Sequence, residues 1–245
     1  MTGAWPKIRP VGLTGLLVSF ADTLSDPANR AALAFRAAVE AEAWPDVLES
    51  SCTLASCFIR FDPVETDPEP LEARLADLLA ARDWYAAPFP AGRRLWRIPC
   101  VFGGDLAPQL GDAAQAAGMS PAQAIESLST ARTRVLTLGF APGMPYLGTL
   151  PPAWDLPRQT ELTPRVPVGA LVLAIRQFVL FATTAPTGWR HVGQTAFTGY
   201  RPGADRPFAL CAGDEVMFPA IPAEDYAACE ADPSGLGGAT WEVLE

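Results

Sequence analysis

Acid–base or nucleophilic chemistry has few starting points in this chain. Of 245 residues one is a histidine, His191, in the run PTGWRHVGQT. A Ser-His-Asp or Cys-His arrangement would have to use it as the base. In a β-like run beside Trp189 and Val192 it reads more simply as a hydrogen-bonded wall residue. The cysteines at 52, 57, 100, 211 and 229 are odd in number, scattered, and lack C-x-x-C spacing. They read as buried thiols in a reducing cytosol rather than as zinc ligands. With one histidine and no carboxylate cluster at ligand spacing, no metal site is expected. No G-x-G-x-x-G loop between a strand and a helix and no Walker A loop is present, so ATP binding by either loop is not expected.

What remains is a set of loops. The first is LGFAPGMPYLGTL, Leu138 to Leu150. Gly139 and Gly143 give backbone freedom and let a ligand approach the main chain. Pro142 and Pro145 fix neighbouring φ angles, and Phe140, Met144 and Tyr146 supply apolar wall. The second, PRQTELTPRVPVG, holds Arg158 and Arg165, whose planar forks suit a carboxylate or an amide oxygen. The third, APTGWRHVGQT, offers Gly188, Trp189 as a floor, and Gln194 and Thr195 as polar handles. In the fourth, CAGDEVMF, Gly213-Asp214 reads as a turn between strands. Two readings stay open. These are the turns any barrel needs, with solvated arginines, or they line a mostly apolar cleft with a few aimed polar groups.

The elements that must carry these loops follow from pattern. Residues 8–21 give two short strands, and 26–44 an Ala-rich helix that Asp26 could cap. Residues 46–63 give two more strands. Residues 69–85 read as an amphipathic helix with Leu71, Leu75, Leu78 and Leu79 on one face, and 89–104 as a closing strand. This is a small α+β layer. A Pro/Gly stretch from Pro88 to Gly92 marks a boundary. Beyond it come helices at 107–118 and 120–131, the second with Ser120 as N-cap and Pro121 in its first turn. From Val135 onward short β-rich runs between Pro/Gly breaks suggest a β-barrel or sandwich. The organisation expected is an α+β domain over 1–90, a mostly-β barrel domain over 91–225, and a loosely held arm or edge strand over 226–245.

Composition bounds the partners. The chain is 49% hydrophobic and 18% charged, as globular chains are, and its net charge of -9 argues against a nucleic-acid partner. It has no 18-residue apolar run, so no membrane span is expected. The N-terminal residues lack a small-residue cleavage site and read as mature sequence.

The motifs, taken in order, resemble one family. Gly139–Gly148 matches the signature G-F-x-P-G-F-P-Y-L-G, with Met144 for the second Phe. Arg165–Ala170 resembles R-V-P-A-G-S, Thr187–Thr195 resembles G-G-W-x-x-I-G-R-T, and Ala212–Phe218 resembles P-G-D-x-V-x-F. The family is that of allophanate hydrolase subunit 1, which includes the B subunit of 5-oxoprolinase and the Kip inhibitor of a sporulation sensor kinase. The resemblance implies an N-terminal α+β domain followed by a cyclophilin-like β-barrel. It also implies a cytoplasmic chain that pairs with a second, larger barrel subunit. That complex handles a small amide or urea-type substrate in an ATP-dependent hydrolysis or carboxyl transfer, with ATP used by a partner subunit.

On this reading Phe140, Pro142, Gly143, Tyr146, Arg158, Arg165, Gln177, Gly188 and Trp189 line the site for a small amide or carboxylate ligand, and no residue is assigned a catalytic role. The chain departs from the family pattern where polar groups are usual. Gln109 stands in place of Asp in P-D-L. Leu128-Ser129-Thr130 and Thr133 replace H-S-S and a Tyr, and Gln177–Ala182 replaces Q-T-G-x-Y-P. Ala170 and Gln194 replace a Ser and an Arg, and His191 falls at a usually apolar position. Losing an Asp and a His removes general acid–base options. Three functions follow as alternatives: a subunit that is not catalytic alone, a regulatory binding protein like the Kip inhibitor, or a stand-alone hydrolase using His191.

Overall fold

Strand and helix patterns in the first third of the chain fold as two β-hairpins, each followed by a helix. The computed structural model describes residues 5–89 and 91–244. Pro90, within the expected boundary, and residues 1–4, within the stretch read as mature sequence, lie outside the described residues. The chain divides into two compact units, one ending at Ala91 and one beginning at Gly92.

The first unit runs β1 (Lys7–Val11), β2 (Gly15–Ser19), α1 (Asp26–Glu42), β3 (Glu49–Cys52), β4 (Ser56–Arg60), α2 (Pro68–Ala80). Its sheet is antiparallel throughout, in the order β1-β2-β4-β3. Alternation along β2 and β4 sends Leu16, Val18, Cys57 and Ile59 to one face. There they meet Ala31, Ala32, Phe35 and Val39 of α1 and Leu71 and Leu75 of α2. The cap of α1 is Ser25, not Asp26. The Ser25 hydroxyl accepts from Ala28 N at 3.3 Å, while Asp26 and Pro27 already occupy the first turn. A carboxylate there still favours the helix dipole.

The second unit begins with β5 (Arg94–Arg97), β6 (Val101–Phe102), α3 (Leu110–Ala116) and α4 (Pro121–Ser129). It continues β7 (Thr133–Leu138), β8 (Pro145–Gly148), β9 (Thr163–Val166), β10 (Ala170–Ala174) and β11 (Gln177–Leu180). β12 (Ala185–Thr187), β13 (Arg190–Gln194), β14 (Glu215–Met217), α5 (Tyr226–Glu230) and β15 (Thr240–Val243) complete it. Nine strands form one sheet, β15-β5-β14-β7-β8-β11-β10-β13-β6, which curls as a half-barrel and whose end strands do not pair. The run read as one closing strand over 89–104 is in fact two. β5 and β6 sit near opposite edges of this larger sheet, with Pro99 between them. Ser120 and Gln123 close a reciprocal capping box on α4, as its sequence predicts. The segment read as an arm or edge strand supplies edge strand β15, paired with β5 from Thr240 to Val243, and its Trp241 ring lies 6.1 Å from Trp96.

β10 is buried on both faces, which accounts for its unbroken apolar run. Leu171 and Leu173 enter the main core with Trp96, Phe178 and Phe218. Ala170, Val172 and Ala174 face the other way, into a smaller core with Met144, Val166, Phe181 and Trp189. A two-stranded ribbon, β9 with β12, supplies Val166 and Ala185 to that second core. Asp214 does more than turn the chain. It is 2% exposed, pairs with Arg94 at 2.5 Å, and accepts from Arg94 N and Cys211 N at 2.9 Å each. No helix among the described residues is long and apolar enough to cross a membrane.

Candidate functional site

Parts of the first three loops singled out in the sequence border two surfaces of the second unit. Ala141–Met144 is a tight turn closed by Met144 N donating to Ala141 O at 3.1 Å, with Pro142 at its second position and Gly143 at its third with φ 72°. A Cβ on Gly143 would stand 2.8 Å from Gly199 C and 2.9 Å from Tyr200 N. The close approach that requires glycine is therefore made by the protein's own backbone, not by a ligand. Phe140 has φ 69°, a region costly for an aromatic residue, and its side chain is 78% exposed. With Pro142, Gly143 and Phe208 it borders an apolar hollow of about 400 Å³, and Phe208 stacks on Tyr200 at 5.0 Å. Met144 is buried in the smaller core rather than forming a wall.

The second surface is polar. Pro157–Thr163, Gln109 and Arg190 enclose a cleft of about 560 Å³. Its shape depends on Gln109. That amide accepts from His191 N at 2.7 Å and donates to Gln159 Oε1 at 3.0 Å and Thr163 Oγ1 at 3.2 Å. Gln159 N donates to Gly188 O at 2.6 Å, and a Cβ on Gly188 would meet Gln159 O at 3.0 Å. Gly188 thus lets the 157–163 loop sit against the strand that leads to β13. Arg190 donates to Pro157 O at 2.7 Å. The Arg158 guanidinium lies 5.3 Å from the Trp189 ring centre, a cation–π distance. Tyr146 meets the same ring edge-on at 6.2 Å. Among the described residues neither Arg158 nor Arg190 has a carboxylate within ion-pair distance. Glu161 is the one carboxylate in the lining among the described residues.

The structure therefore joins Arg158, Gly188, Trp189 and Tyr146 in one chain of contacts, and groups Phe140, Pro142 and Gly143 at another surface. Arg165 is exposed on β9 and borders neither hollow. Gln177 is buried in β11 opposite Gly148 of β8 and lines neither. Of the residues expected at the site Arg158 alone is in the cleft lining, and Gly188, Trp189 and Tyr146 stand behind it. The lining residues not singled out are Gln109, Arg190 and the rest of the 157–163 segment. A signal for Gln109 existed in its departure from the P-D-L pattern. The others gave none, because their role depends on a bridge between residues 109 and 159.

His191 is 5% exposed, and its Nε2 is buried with no hydrogen-bond partner among the described residues. Burial pushes its pKa down, and the adjacent Gln194 side chain and Gly193 backbone offset part of that shift. No hydroxyl or thiol among the described residues is hydrogen-bonded to the ring. Gln194 serves the fold, donating to Val168 O at 2.8 Å. No cluster of metal-binding side chains occurs among the described residues.

Residues 6–210 match the family described as carboxyltransferase domain, subdomain C and D. The chain belongs to this family. Its relatives include the B subunit of 5-oxoprolinase from Bacillus subtilis, 28% identical over 90% of this chain and 95% of that one. The protein of the same name from Escherichia coli O157:H7 is 37% identical over 51% of this chain and 57% of that one. Among solved structures, the protein TTHA0988 superposes with a TM-score of 0.72 at 28% identity, covering 89% of this chain and 40% of that chain. The present chain thus covers about two fifths of the length of that relative. The urea amidolyase of K. lactis superposes with a TM-score of 0.75 at 17% identity over 98% of this chain and 16% of that one, a likeness of fold.

Proposed function

We propose that this chain is a subunit of a heteromeric, ATP-dependent amidohydrolase or carboxyltransferase, cytoplasmic, that acts on a small amide of the 5-oxoproline or urea type. The observation that carries the reading is the cleft at Gln109, Arg158 and Arg190. Two guanidiniums with no carboxylate partner within ion-pair distance suit a substrate carboxylate. The Gln109, Gln159 and Thr163 groups suit an amide. Arg158 resting on Trp189 is held in place before a ligand arrives, which lowers the ordering cost of binding. Family membership and the relatives named as the B subunit of 5-oxoprolinase support the same assignment.

In this reading the chain binds and orients substrate. Glu161 is an exposed carboxylate with no ion-pair partner among the described residues, and His191 is buried with no hydroxyl or thiol hydrogen-bonded to its ring among them. The general acid–base groups and the ATP chemistry then come from partners, the second, larger barrel subunit among them. Co-expression with a second-subunit homologue tests this. The reading requires a stable complex that hydrolyses 5-oxoproline only when ATP is supplied. A chain that stays monomeric beside that homologue contradicts it.

A second reading, a regulatory binding protein without catalysis of its own, is favoured by the exposed Phe140, Phe208 and Tyr200 surface, since apolar side chains left in water often mark a protein contact. Immobilised chain that retains a sensor kinase and releases the second subunit supports it. Retention of the second subunit alone rejects it.

A further inference from the structure

We propose that Cys52 and Cys57 form a dithiol–disulfide pair that reacts with small-molecule disulfides of the glutathione type. The two residues lie directly opposite each other in the β3–β4 hairpin. Thr53 N donates to Ser56 O at 2.9 Å, so Thr53 and Ser56 form the hydrogen-bonded pair that ends the ladder. The next pair, Cys52 with Cys57, is then a non-hydrogen-bonded one. The other edge of β4 requires the same alternation. Phe20 N donates to Ala55 O, and two residues along, Cys57 turns its backbone groups toward Val18 of β2. Opposed residues at a non-hydrogen-bonded site have Cα atoms about 4.5 Å apart. A disulfide spans Cα separations of about 4.4–6.8 Å.

Both side chains project to the face covered by α1. Cys57 is buried in that core, and Cys52, half-buried, donates its thiol to Ala32 O at 3.3 Å. Both are thiols in this structure. Their surroundings make them unequal. The hydrogen bond with Cys52, followed by burial, pushes the Cys57 thiol well up. Cys52 is partly reachable from solvent, so it is the sulfur that meets an incoming reagent. Among the described residues no other two cysteines face each other in a strand register.

The Cys52 thiolate attacks one sulfur of the external disulfide, forming a mixed disulfide and expelling one thiolate. Cys57 then attacks Cys52 Sγ. The Cys52–reagent bond breaks, the second reagent sulfur leaves as a thiol, and the Cys57 proton passes to a leaving sulfur. Two protein thiols are oxidised and one external disulfide is reduced to two thiols. The hairpin is already closed at this register, so oxidation preserves the fold.

The test uses the full chain, reduced and then incubated with glutathione disulfide, quenched with iodoacetamide and cut with trypsin. Cleavage after Arg36 and Arg60 releases one peptide, residues 37–60, that contains both cysteines. The expected product is that peptide two hydrogens lighter, without alkylation, and restored by dithiothreitol, with the near-UV circular dichroism of the chain unchanged. In Cys57→Ser the same peptide carries one glutathione on Cys52, and in Cys52→Ser residue 57 stays unmodified. Alkylation of both cysteines in the wild-type peptide after treatment, or a lasting glutathione adduct on it, overturns the proposal. Glutathione on Cys57 in Cys52→Ser overturns the assigned order of attack.

Discussion

Arg94 and Arg158 are both stacked on tryptophan, Arg94 at 5.0 Å from Trp96 and Arg158 at 5.3 Å from Trp189. Around Arg94 every direction is closed. It is 6% exposed, it is paired with Asp214, and it donates to Ala209 O at 2.8 Å. Its donors are used within the fold, where they tie the turn before β14 to the start of β5. Arg158 faces an open cleft and has no carboxylate partner among the described residues. The same side chain on the same kind of ring is structural where its donors are consumed and available where they are not. A tryptophan platform alone does not distinguish the two roles.

This contrast can be broken by substitution, and the largest effect is expected at the buried pair. Arg94→Ala or Asp214→Ala leaves an uncompensated buried charge and should cost about 3–5 kcal/mol in urea unfolding. A well-packed apolar replacement of both residues should cost far less. Equal losses in the single and double variants would show that packing, not charge, decides the site. Next is Gln109→Leu, which keeps bulk but removes the acceptor of His191 N and the bridge to Gln159 and Thr163. Leaving these groups unmade should cost about 1–3 kcal/mol and open the cleft, read as lost stability together with weaker ligand binding. Loss of stability with binding intact would separate Gln109 from the site.

A smaller effect concerns pH. The native state holds His191 neutral at a lowered pKa, while the unfolded chain titrates it near 6.5. Below that value the unfolded state binds the extra proton, so stability should fall as pH drops through 6.5 and level off below the native pKa. The slope contributed is at most about 1.4 kcal/mol per pH unit. His191→Val should remove that contribution from the stability–pH curve, and an unchanged curve would show that the ring is hydrated in the native state. Smallest is Arg165→Ala. An exposed arginine on β9 should shift stability by no more than about 0.5 kcal/mol, with binding unchanged. A large loss of affinity would move the site toward β9.

Much of the fold is legible in the sequence because its signals are local. Alternation in residues 8–21 and 46–63 specifies hairpins, and the Leu71–Leu79 spacing specifies a helix. Ser120-Pro121 marks a helix start. The misreadings are non-local. Nothing near 89–104 reveals that β5 and β6 belong near opposite edges of one sheet, and although Gly213-Asp214 is the turn its residues suggest, nothing near it reveals the pairing of Asp214 with Arg94, 120 residues away. The candidate cleft was less legible for the same reason. Arg158 stands out by type and lies in the lining, while Trp189 and Gly188, which also stand out, pack behind it. Gly143 of the 138–150 loop stands out equally, but its freedom is used against Gly199 and Tyr200. Gln109, which shapes the cleft, shows only as a departure from a family pattern.

The most direct test is the effect of Arg158→Ala in the co-expressed complex with its second subunit, assayed for ATP-dependent turnover of the proposed substrate, 5-oxoproline. Losing a charge-assisted hydrogen bond of about 1.5–3 kcal/mol should weaken binding roughly tenfold to a hundredfold, with the thermal midpoint of the chain unchanged. Wild-type KM and turnover in that variant would contradict the assignment of the Gln109–Arg158–Arg190 cleft as the substrate site.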